Sequence, residues 1–169
     1  MEYDFYTLGV LYLVYSFAGW VGETVVATVR GKHFANRGAA AGPFCFVYGT
    51  AGVLITIGLN DQHTSLAALF FGSMIYATVV EWLTAKLLER IHHRRWWDYS
   101  DKKFNLDGYV CLGASLTWGA LGVVVLKWGN PLLLALYSLV PRGIWVVVLL
   151  AALVVIPYGQ TSIMWFAPA

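Results

Sequence analysis

EWLTAKLLERIHHRRWWDYSDKKFNLDG, from Glu81 to Gly108, is the stretch of sequence that decides the fold. It begins with a carboxylate inside an apolar segment, continues through a basic stripe and ends in a polar, aromatic loop. Six of the eleven Lys and Arg residues of the chain lie in it: Lys86, Arg90, Arg94, Arg95, Lys102 and Lys103. The rest of the chain consists mainly of apolar blocks and short connections. The stretch is therefore predicted to be the main polar connection of a membrane protein.

The composition supports the same fold class. Charged residues make up 12% of the chain and hydrophobic residues 59%, whereas soluble domains carry about 25% charged residues. The apolar blocks are about 20 residues long, the length that crosses a hydrocarbon core of about 30 Å. We expect an all-α integral membrane protein, a single polytopic domain over residues 1–169. Its compact bundle is predicted to contain five transmembrane helices, at approximately 5–26, 39–59, 65–88, 109–128 and 144–165.

A shorter apolar segment, PLLLALYSLV over 131–140, lies between the fourth and fifth spans. As a helix it would reach only about 15 Å, half of a bilayer. The length predicts a short interfacial or re-entrant helix near 131–140, and a sixth span is the alternative.

The distribution of Lys and Arg predicts the orientation. The first and third connections hold nine of the eleven, and the second connection, NDQHTS, holds none. Since short cytoplasmic loops are enriched in Lys and Arg, the N-terminus is predicted outside and the C-terminus in the cytoplasm, with the protein in the cell membrane.

Basic residues beside spans and a net charge of only +2 favour membrane lipids with anionic headgroups as partners, and not nucleic acid. Cys45 and Cys111 both fall at cytoplasmic ends and are expected to remain free thiols.

Two carboxylates fall within or at the end of predicted spans. A charge on a lipid-facing helix costs about 2.5–3.5 kcal/mol on insertion scales, so Glu81 must face the interior and have a partner or be protonated. Arg37, at the start of the second span, is the best-placed cation, and Glu23 could share it. Glu23, Arg37 and Glu81 are the candidates for a polar cavity facing the cytoplasm. A proton or cation site and a structural ion pair both fit this pattern.

The loop between the third and fourth spans carries a second group of candidates. Asp98, Ser100 and Asn105 are residue types that form turns and caps. Trp97, Tyr99 and Phe104 would plug a re-entering loop. Capping the helices and binding a solute are both compatible with these residues.

Several chemistries have no support in the sequence. No HExxH, CxxC or GxxxxGK pattern occurs, so no metal, no cofactor and no nucleotide-hydrolysing site is predicted in this chain.

Three runs of sequence resemble the ABC-transporter type IV, or CmpB-like, permease family over approximately residues 5–125. They are GWVGE (Gly19–Glu23), NRGAAAGPFCFVYG (Asn36–Gly49) and EWLTAKLLE followed by WWDYSDKKFNLDGYVCL (Glu81–Leu112). The resemblance implies a small multi-span membrane protein with a permease function. The motif positions that it carries over are Glu23, Asn36, Arg37, Gly42, Pro43, Tyr48, Gly49, Glu81, Glu89, Trp97, Asp98, Tyr99 and Asn105.

Three functions are weighed. The first is transport, by a permease subunit whose ATPase is a separate chain docked on the basic loops; a homodimer would enclose the pathway. The second is a membrane assembly or regulatory subunit without chemistry. The third is an intramembrane enzyme acting on lipid substrates, with Glu81 or Asp98 as general base. No nucleophile–base pair in the sequence supports the third, so we do not expect an enzyme.

Overall fold

The computed structural model describes residues 3–31, 43–59 and 64–163, with side chains to residue 152. Helices dominate this part of the chain, as predicted. Its elements are α1 (Phe5–Gly31), α2 (Phe46–Gly58), α3 (Leu66–His92), β1 (Asn105–Leu106), β2 (Val110–Cys111), α4 (Leu112–Val124), a π-helical turn (Val125–Gly129), α5 (Asn130–Ser138) and α6 (Arg142–Ile163).

Within the described residues, three helices are long and apolar enough to cross a membrane. They are Phe5–Gly31, Leu66–His92 and the continuous helix Leu112–Ser138 that joins α4, the π-helical turn and α5. Each is 27 residues long, about 40 Å at 1.5 Å per residue. Two shorter apolar helical stretches are Phe46–Gly58 and Arg142–Ala152.

The predicted separate helix over 131–140 is wrong in its boundaries, because helix continues through Pro131 without a break. Proline has no N–H to donate and its ring clashes with the preceding turn of an α-helix. Here the turn before it is π-helical, and the Asn130 N–H bonds the Val125 carbonyl five residues back. The wider turn accommodates Pro131 with a local change of pitch where the sequence pattern suggested an end.

The chain divides into two compact units. The first comprises residues 51–132, and its core is the pairing of α3 with α4. This pairing depends on small residues: a Cβ added to Gly122 would meet the side chain of Ser73, and one added to Gly119 would meet Phe70. Close backbone approach at small residues is the usual way in which helices associate in lipid.

The second unit comprises residues 2–50 and 133–169, and α1 packs against α6 in it. A Cβ on Gly9 of α1 would contact Leu149 of α6 at 3.1 Å. Gly19, near the middle of α1, lies against the ring of Tyr48. The starts of α1 and α6 are joined by an ion pair, with Arg142 Nη2 2.8 Å from Asp4 Oδ2.

Candidate functional site

Glu81 lies on the face of α3 that packs against α4, and only 6% of it is exposed. The indole Nε1–H of Trp118 in α4 donates to Oε2 at 3.0 Å. The hydroxyl of Tyr99, from the loop after α3, donates to Oε1 at 3.4 Å. Three segments of the first unit therefore meet at one buried carboxylate.

Hydroxyl groups extend this polar site along the α3–α4 interface. Thr78, three residues before Glu81, donates its hydroxyl to Ser115 Oγ at 2.8 Å. Ser73 is fully buried earlier in α3, and its hydroxyl has no hydrogen-bond partner among the described residues. The interface thus holds polar atoms from Glu81 back to the first third of α3.

The loop after α3 folds into a tight hairpin. β1 and β2 pair antiparallel, with Asn105 opposite Cys111 and Leu106 opposite Val110. Asp107 and Gly108 in the connection both have positive φ, at 57° and 73°, the sign that a type I′ turn needs at its two central residues. A Cβ on Gly108 would also meet Arg95 Nη1 at 2.6 Å and Asp98 Oδ1 at 2.8 Å. Glycine is therefore required there by conformation and by space.

Asp98 organises the chain that wraps around Gly108. Its Oδ1 accepts from the Ser100 hydroxyl at 2.5 Å, from the Ser100 N–H at 2.9 Å and from Arg95 Nη1 at 3.2 Å. The hydrogen bonds from the Ser100 hydroxyl and N–H, together with the Arg95 charge, hold the pKa of Asp98 below its usual value despite some desolvation. The carboxylate is thus stabilised in its ionised form.

Glu89 and Tyr109 join the hairpin to the end of α3. The Tyr109 hydroxyl donates to Glu89 Oε2 at 2.5 Å, and Arg95 Nε donates to Glu89 Oε1 at 3.4 Å. The hydrogen bond to Glu89 is the main cause of a raised pKa of Tyr109, and desolvation is the second cause. The guanidinium carbon of Arg95 lies 4.8 Å from the centre of the Tyr109 ring, so one arginine contacts α3, Asp98 and the residue that precedes β2.

A second set of contacts fastens the turn of the hairpin to α3 one to two helical turns earlier. Trp82 Nε1 donates to Asp107 Oδ2 at 3.3 Å. Lys86 Nζ lies 3.7 Å from the same oxygen and 3.9 Å from the centre of the Trp82 ring. The hairpin therefore lies back along the C-terminal half of α3, and this placement brings Tyr99 to Glu81.

The chain matches the family described as "Putative ABC-transporter type IV" over residues 10–161. It belongs to this family. The match covers most of the chain and includes all the predicted site residues. No curated protein and no solved structure is significantly similar to the chain.

The WDYS…FN stretch of the sequence contributes much of the hairpin network. Trp97 Nε1 donates to the Tyr109 carbonyl at 2.9 Å. The Asn105 side chain donates to the Lys102 carbonyl at 2.8 Å and accepts from the Gly108 N–H at 3.1 Å. With Glu89, Asp98 and Tyr99, five of the predicted loop residues are brought together. Their bonds lie within the loop and to α3, which favours a role in shaping the hairpin.

Glu23, the other predicted carboxylate, lies in the second unit and is partly exposed. The Tyr48 hydroxyl donates to its Oε1 at 2.6 Å, so these two motif residues form one contact between α1 and α2. Asn36 and Arg37 lie outside the described residues. The predicted pairing of Arg37 with Glu81 and Glu23 therefore stays a prediction.

A cavity of about 200 Å³ occurs in the second unit, and it contains none of the predicted site residues. Its lining is mainly apolar and includes Val10, Leu11 and Leu134, with Thr7, Tyr137 and Trp145. No group of three or more potential metal ligands occurs within the described part of the chain.

Several residues that complete the site are not among those predicted from the sequence. Asp107 and Gly108 carry a signal that could have located the hairpin, because Asp-Gly between apolar residues is a strong predictor of a tight turn. Trp118 carries no comparable signal, since tryptophan in an apolar segment is ordinary. Arg95 is one of several adjacent basic residues, and only the folded loop distinguishes it.

Proposed function

We propose that this protein is the membrane-spanning, permease-type subunit of a transporter that works with a separate ATPase chain. The observation that carries the proposal is the buried carboxylate of Glu81 in an apolar helix of a chain from this family. Ionisable residues inside membrane spans are costly and are retained chiefly at solute or proton pathways. The hydroxyls of Thr78, Ser115 and Ser73 supply further polar atoms beside it.

The polar site is proposed to face the cytoplasm and to include Arg37. Arg37 would pair with Glu81, with Glu23 as a second acceptor. Breaking one partner of a buried pair costs about 3–5 kcal/mol, because the other charge is stranded. We expect Arg37→Ala to destabilise strongly and the added change Glu81→Gln to recover part of the loss. No recovery would mean that the residues are not coupled.

The ion pair between Asp4 and Arg142 supports five membrane crossings. It requires the starts of α1 and α6 to lie on the same side. If the three long helices cross, the chain between these residues has three crossings and would leave them on opposite sides. A fourth crossing through the segment that contains α2 removes the conflict, and α6 supplies the fifth. Helix α2 covers about 20 Å, and the predicted segment 39–59 that contains it is long enough to cross.

The orientation follows from charge. In this topology nine Lys and Arg residues lie on the side of the hairpin and two, Lys127 and Arg142, do not. Because cytoplasmic loops are enriched in these residues, the hairpin is proposed to be cytoplasmic and the N-terminus external.

Single cysteines at Lys32 and Lys102, in a background without Cys45 and Cys111, should label only from the cytoplasm. One at Gln62 should label only from outside, and labelling of Gln62 and Lys102 from one side would refute five spans.

The ATPase is proposed to bind the basic end of α3. Arg90 in the last turn of α3 and Arg94, two residues after the helix ends, are both exposed there. The chain has no nucleotide-binding motif of its own. Two copies of the chain, side by side in the membrane, would enclose a pathway that one subunit of this size cannot.

Co-expression with ATPase chains encoded beside this gene tests the proposal. We expect one ATPase to co-purify in nanodiscs, and the double change Arg90→Gln with Arg94→Gln to reduce its retention at least about tenfold. Lys127→Gln, on the helix Leu112–Ser138, is the matched charge control and should leave retention unchanged. Glu81→Gln should keep the ATPase bound and change its hydrolysis rate. Failure of every such ATPase to bind would refute the ATPase-dependent function.

A further inference from the structure

The outer edge of the hairpin presents apolar side chains that the site does not use. We call residues 102–106 (KKFNL) the hairpin tip. Phe104 is 80% exposed and Leu106 is 55% exposed, although both lie in the most polar connection described. A large exposed apolar pair beside two lysines is a feature that the internal hydrogen bonds of the loop do not explain.

The backbone of Phe104 is held in a conformation that aromatic residues rarely adopt. Its φ is +54°, in the left-handed region, where bulky side chains are genuine outliers. Such residues persist where the surroundings determine the conformation, and they cluster at functional positions. Here the Phe104 carbonyl accepts from the Leu112 N–H at 3.1 Å. The neighbouring Asn105 side chain binds Lys102 and Gly108. This clamp keeps the ring directed away from the hairpin.

The same contacts place the hairpin tip beside the start of one long apolar helix and the C-terminal half of another. Leu112, hydrogen-bonded to Phe104, is the first residue of the helix Leu112–Ser138. Asp107, one residue beyond the tip, contacts Trp82 and Lys86 in the C-terminal half of Leu66–His92. If both helices cross the bilayer, Phe104 and Leu106 lie at its boundary.

The charges at the tip suit a surface of anionic lipid. Lys102 pairs with Asp101 at 2.9 Å, whereas Lys103 forms no ion pair within the described residues. Aromatic side chains flanked by lysine are typical of the membrane–water interface, and anionic headgroups attract basic segments beside spans.

We propose that the hairpin tip is a membrane anchor that inserts Phe104 and Leu106 into the anionic headgroup region of the cytoplasmic leaflet. This inference rests on the proposed crossings of α3 and α4 and does not depend on transport. Because Tyr99 belongs to the same hairpin, the anchor also holds the segment that covers Glu81.

Depth-dependent fluorescence quenching tests the anchor. An environment-sensitive fluorophore is attached to Phe104→Cys in full-length protein lacking Cys45 and Cys111. The protein is placed in phosphatidylcholine nanodiscs with or without phosphatidylglycerol, and nitroxides on the acyl chains act as quenchers. We expect quenching at position 104 that increases with phosphatidylglycerol. Asp101→Cys, in the same loop and well exposed, is the matched control and should report water.

A third label, at Leu116→Cys on the exposed face of α4, separates two kinds of failure. Quenching at 116 with a water-exposed label at 104 would overturn the anchor and leave the crossing intact. A water-exposed label at 116 would overturn the crossing itself, and the anchor with it. Quenching at 104 that does not change with the phosphatidylglycerol content would overturn the proposed preference for anionic lipid.

A second variant keeps the test independent of the label. Phe104→Asn removes the apolar ring and fits positive φ, since asparagine tolerates the left-handed region. In detergent it should unfold at a temperature about 2–4 °C higher than the native protein. In nanodiscs it should lose the stabilisation by phosphatidylglycerol that the native protein shows. Retention of that stabilisation would overturn the anchor.

Discussion

The C-terminal halves of α1 and α3, each followed by a basic connection, both contain a carboxylate that is hydrogen-bonded to a tyrosine, but the two carboxylates differ in burial. In each, a carboxylate in an apolar part of the helix, Glu23 or Glu81, accepts a hydrogen bond from a tyrosine hydroxyl. Glu81 is buried and receives hydrogen bonds from Trp118 and Tyr99, two different segments. Glu23 is partly exposed and receives its hydrogen bond from Tyr48.

The difference shows how burial determines the structure that a carboxylate needs. A buried carboxylate must have its hydrogen-bonding capacity satisfied by protein, because water cannot reach it. At Glu81 this requires an ordered hairpin fastened to α3 by Trp82, Lys86 and Glu89. At Glu23 partial exposure reduces the demand, and one short hydrogen bond is described. The hairpin is thus part of what makes a buried charge tolerable in α3.

Removing the carboxylates should therefore have unequal effects. Glu81→Ala leaves the N–H of Trp118 and the hydroxyl of Tyr99 without this acceptor, which we expect to cost about 2–3 kcal/mol. Glu23→Ala should cost about 1 kcal/mol. Glu81→Gln keeps an acceptor in place and is the control, with a smaller loss than Glu81→Ala. Thermal unfolding in detergent measures all three, and equal losses at the two alanine variants would contradict the comparison.

A change at the turn of the hairpin tests whether that ordered loop matters. Gly108→Ala places a Cβ at positive φ and against Arg95, Asp98 and Ser100, with an expected cost of about 1–2 kcal/mol. Gly113→Ala is the control, because a Cβ there meets nothing within 4 Å. It should be neutral or stabilise α4 by up to about 1 kcal/mol. Chemical labelling of Glu81 by a carboxylate-modifying reagent should increase in Gly108→Ala alone.

For the two tyrosines, we expect the order of the stability losses to be the reverse of that for the two carboxylates. Tyr48 donates to Glu23 at 2.6 Å, whereas Tyr99 is 3.4 Å from Glu81. Since hydrogen bonds weaken with length, Tyr48→Phe should cost about 1 kcal/mol and Tyr99→Phe about half of that or less. If Tyr99→Phe proves the more damaging in unfolding measurements, the hairpin contributes more at Glu81 than the hydrogen-bond geometry indicates.

The smallest expected effect is a pH dependence from Asp98. Its pKa is lowered in the folded state by the Ser100 hydroxyl and N–H. The resulting stabilisation is present above the unfolded pKa of about 3.9 and is lost as pH falls through the lower, folded value. Ser100→Ala should remove part of it, so that the unfolding temperature depends less on pH below about pH 4. Ser138→Ala removes a serine hydroxyl that binds the Ala135 carbonyl, and should leave the pH dependence unchanged.

The long helices could be predicted from the sequence because apolar length determines them. The predicted segments 5–26 and 65–88 correspond to α1 and α3, which begin within a residue of the prediction and continue to Gly31 and His92. Their ends lie further along because helical hydrogen bonding continues into water, whereas a search for apolar residues stops at the first charges.

The remaining features depend on geometry that composition does not contain. Pro131 indicates a helix end unless the preceding turn widens. No residue pattern in VLKWG predicts that this turn is π-helical. Glu81 was identified because a charge in an apolar segment is costly. Its partner Trp118 was not, because the donor is one N–H among many apolar atoms. The loop was predicted to be plugged by Trp97, Tyr99 and Phe104, but Phe104 is 80% exposed. Its strands were missed although Asp107 and Gly108 form a known turn signal.

The π-helical turn at Val125–Gly129 adds one residue to a turn of a continuous helix, and this shifts the directions of the side chains that follow it. A π turn contains about one residue more than an α turn, and each residue advances about 100° around the axis. Asn130, whose amide donates to Thr56 at 2.9 Å, is oriented by that shift. Deleting one residue between Val125 and Gly129 would restore an ordinary α-helical turn, against which the ring of Pro131 would clash. It would also rotate the Asn130 side chain away from Thr56, so a shorter, more regular helix would be the less stable one.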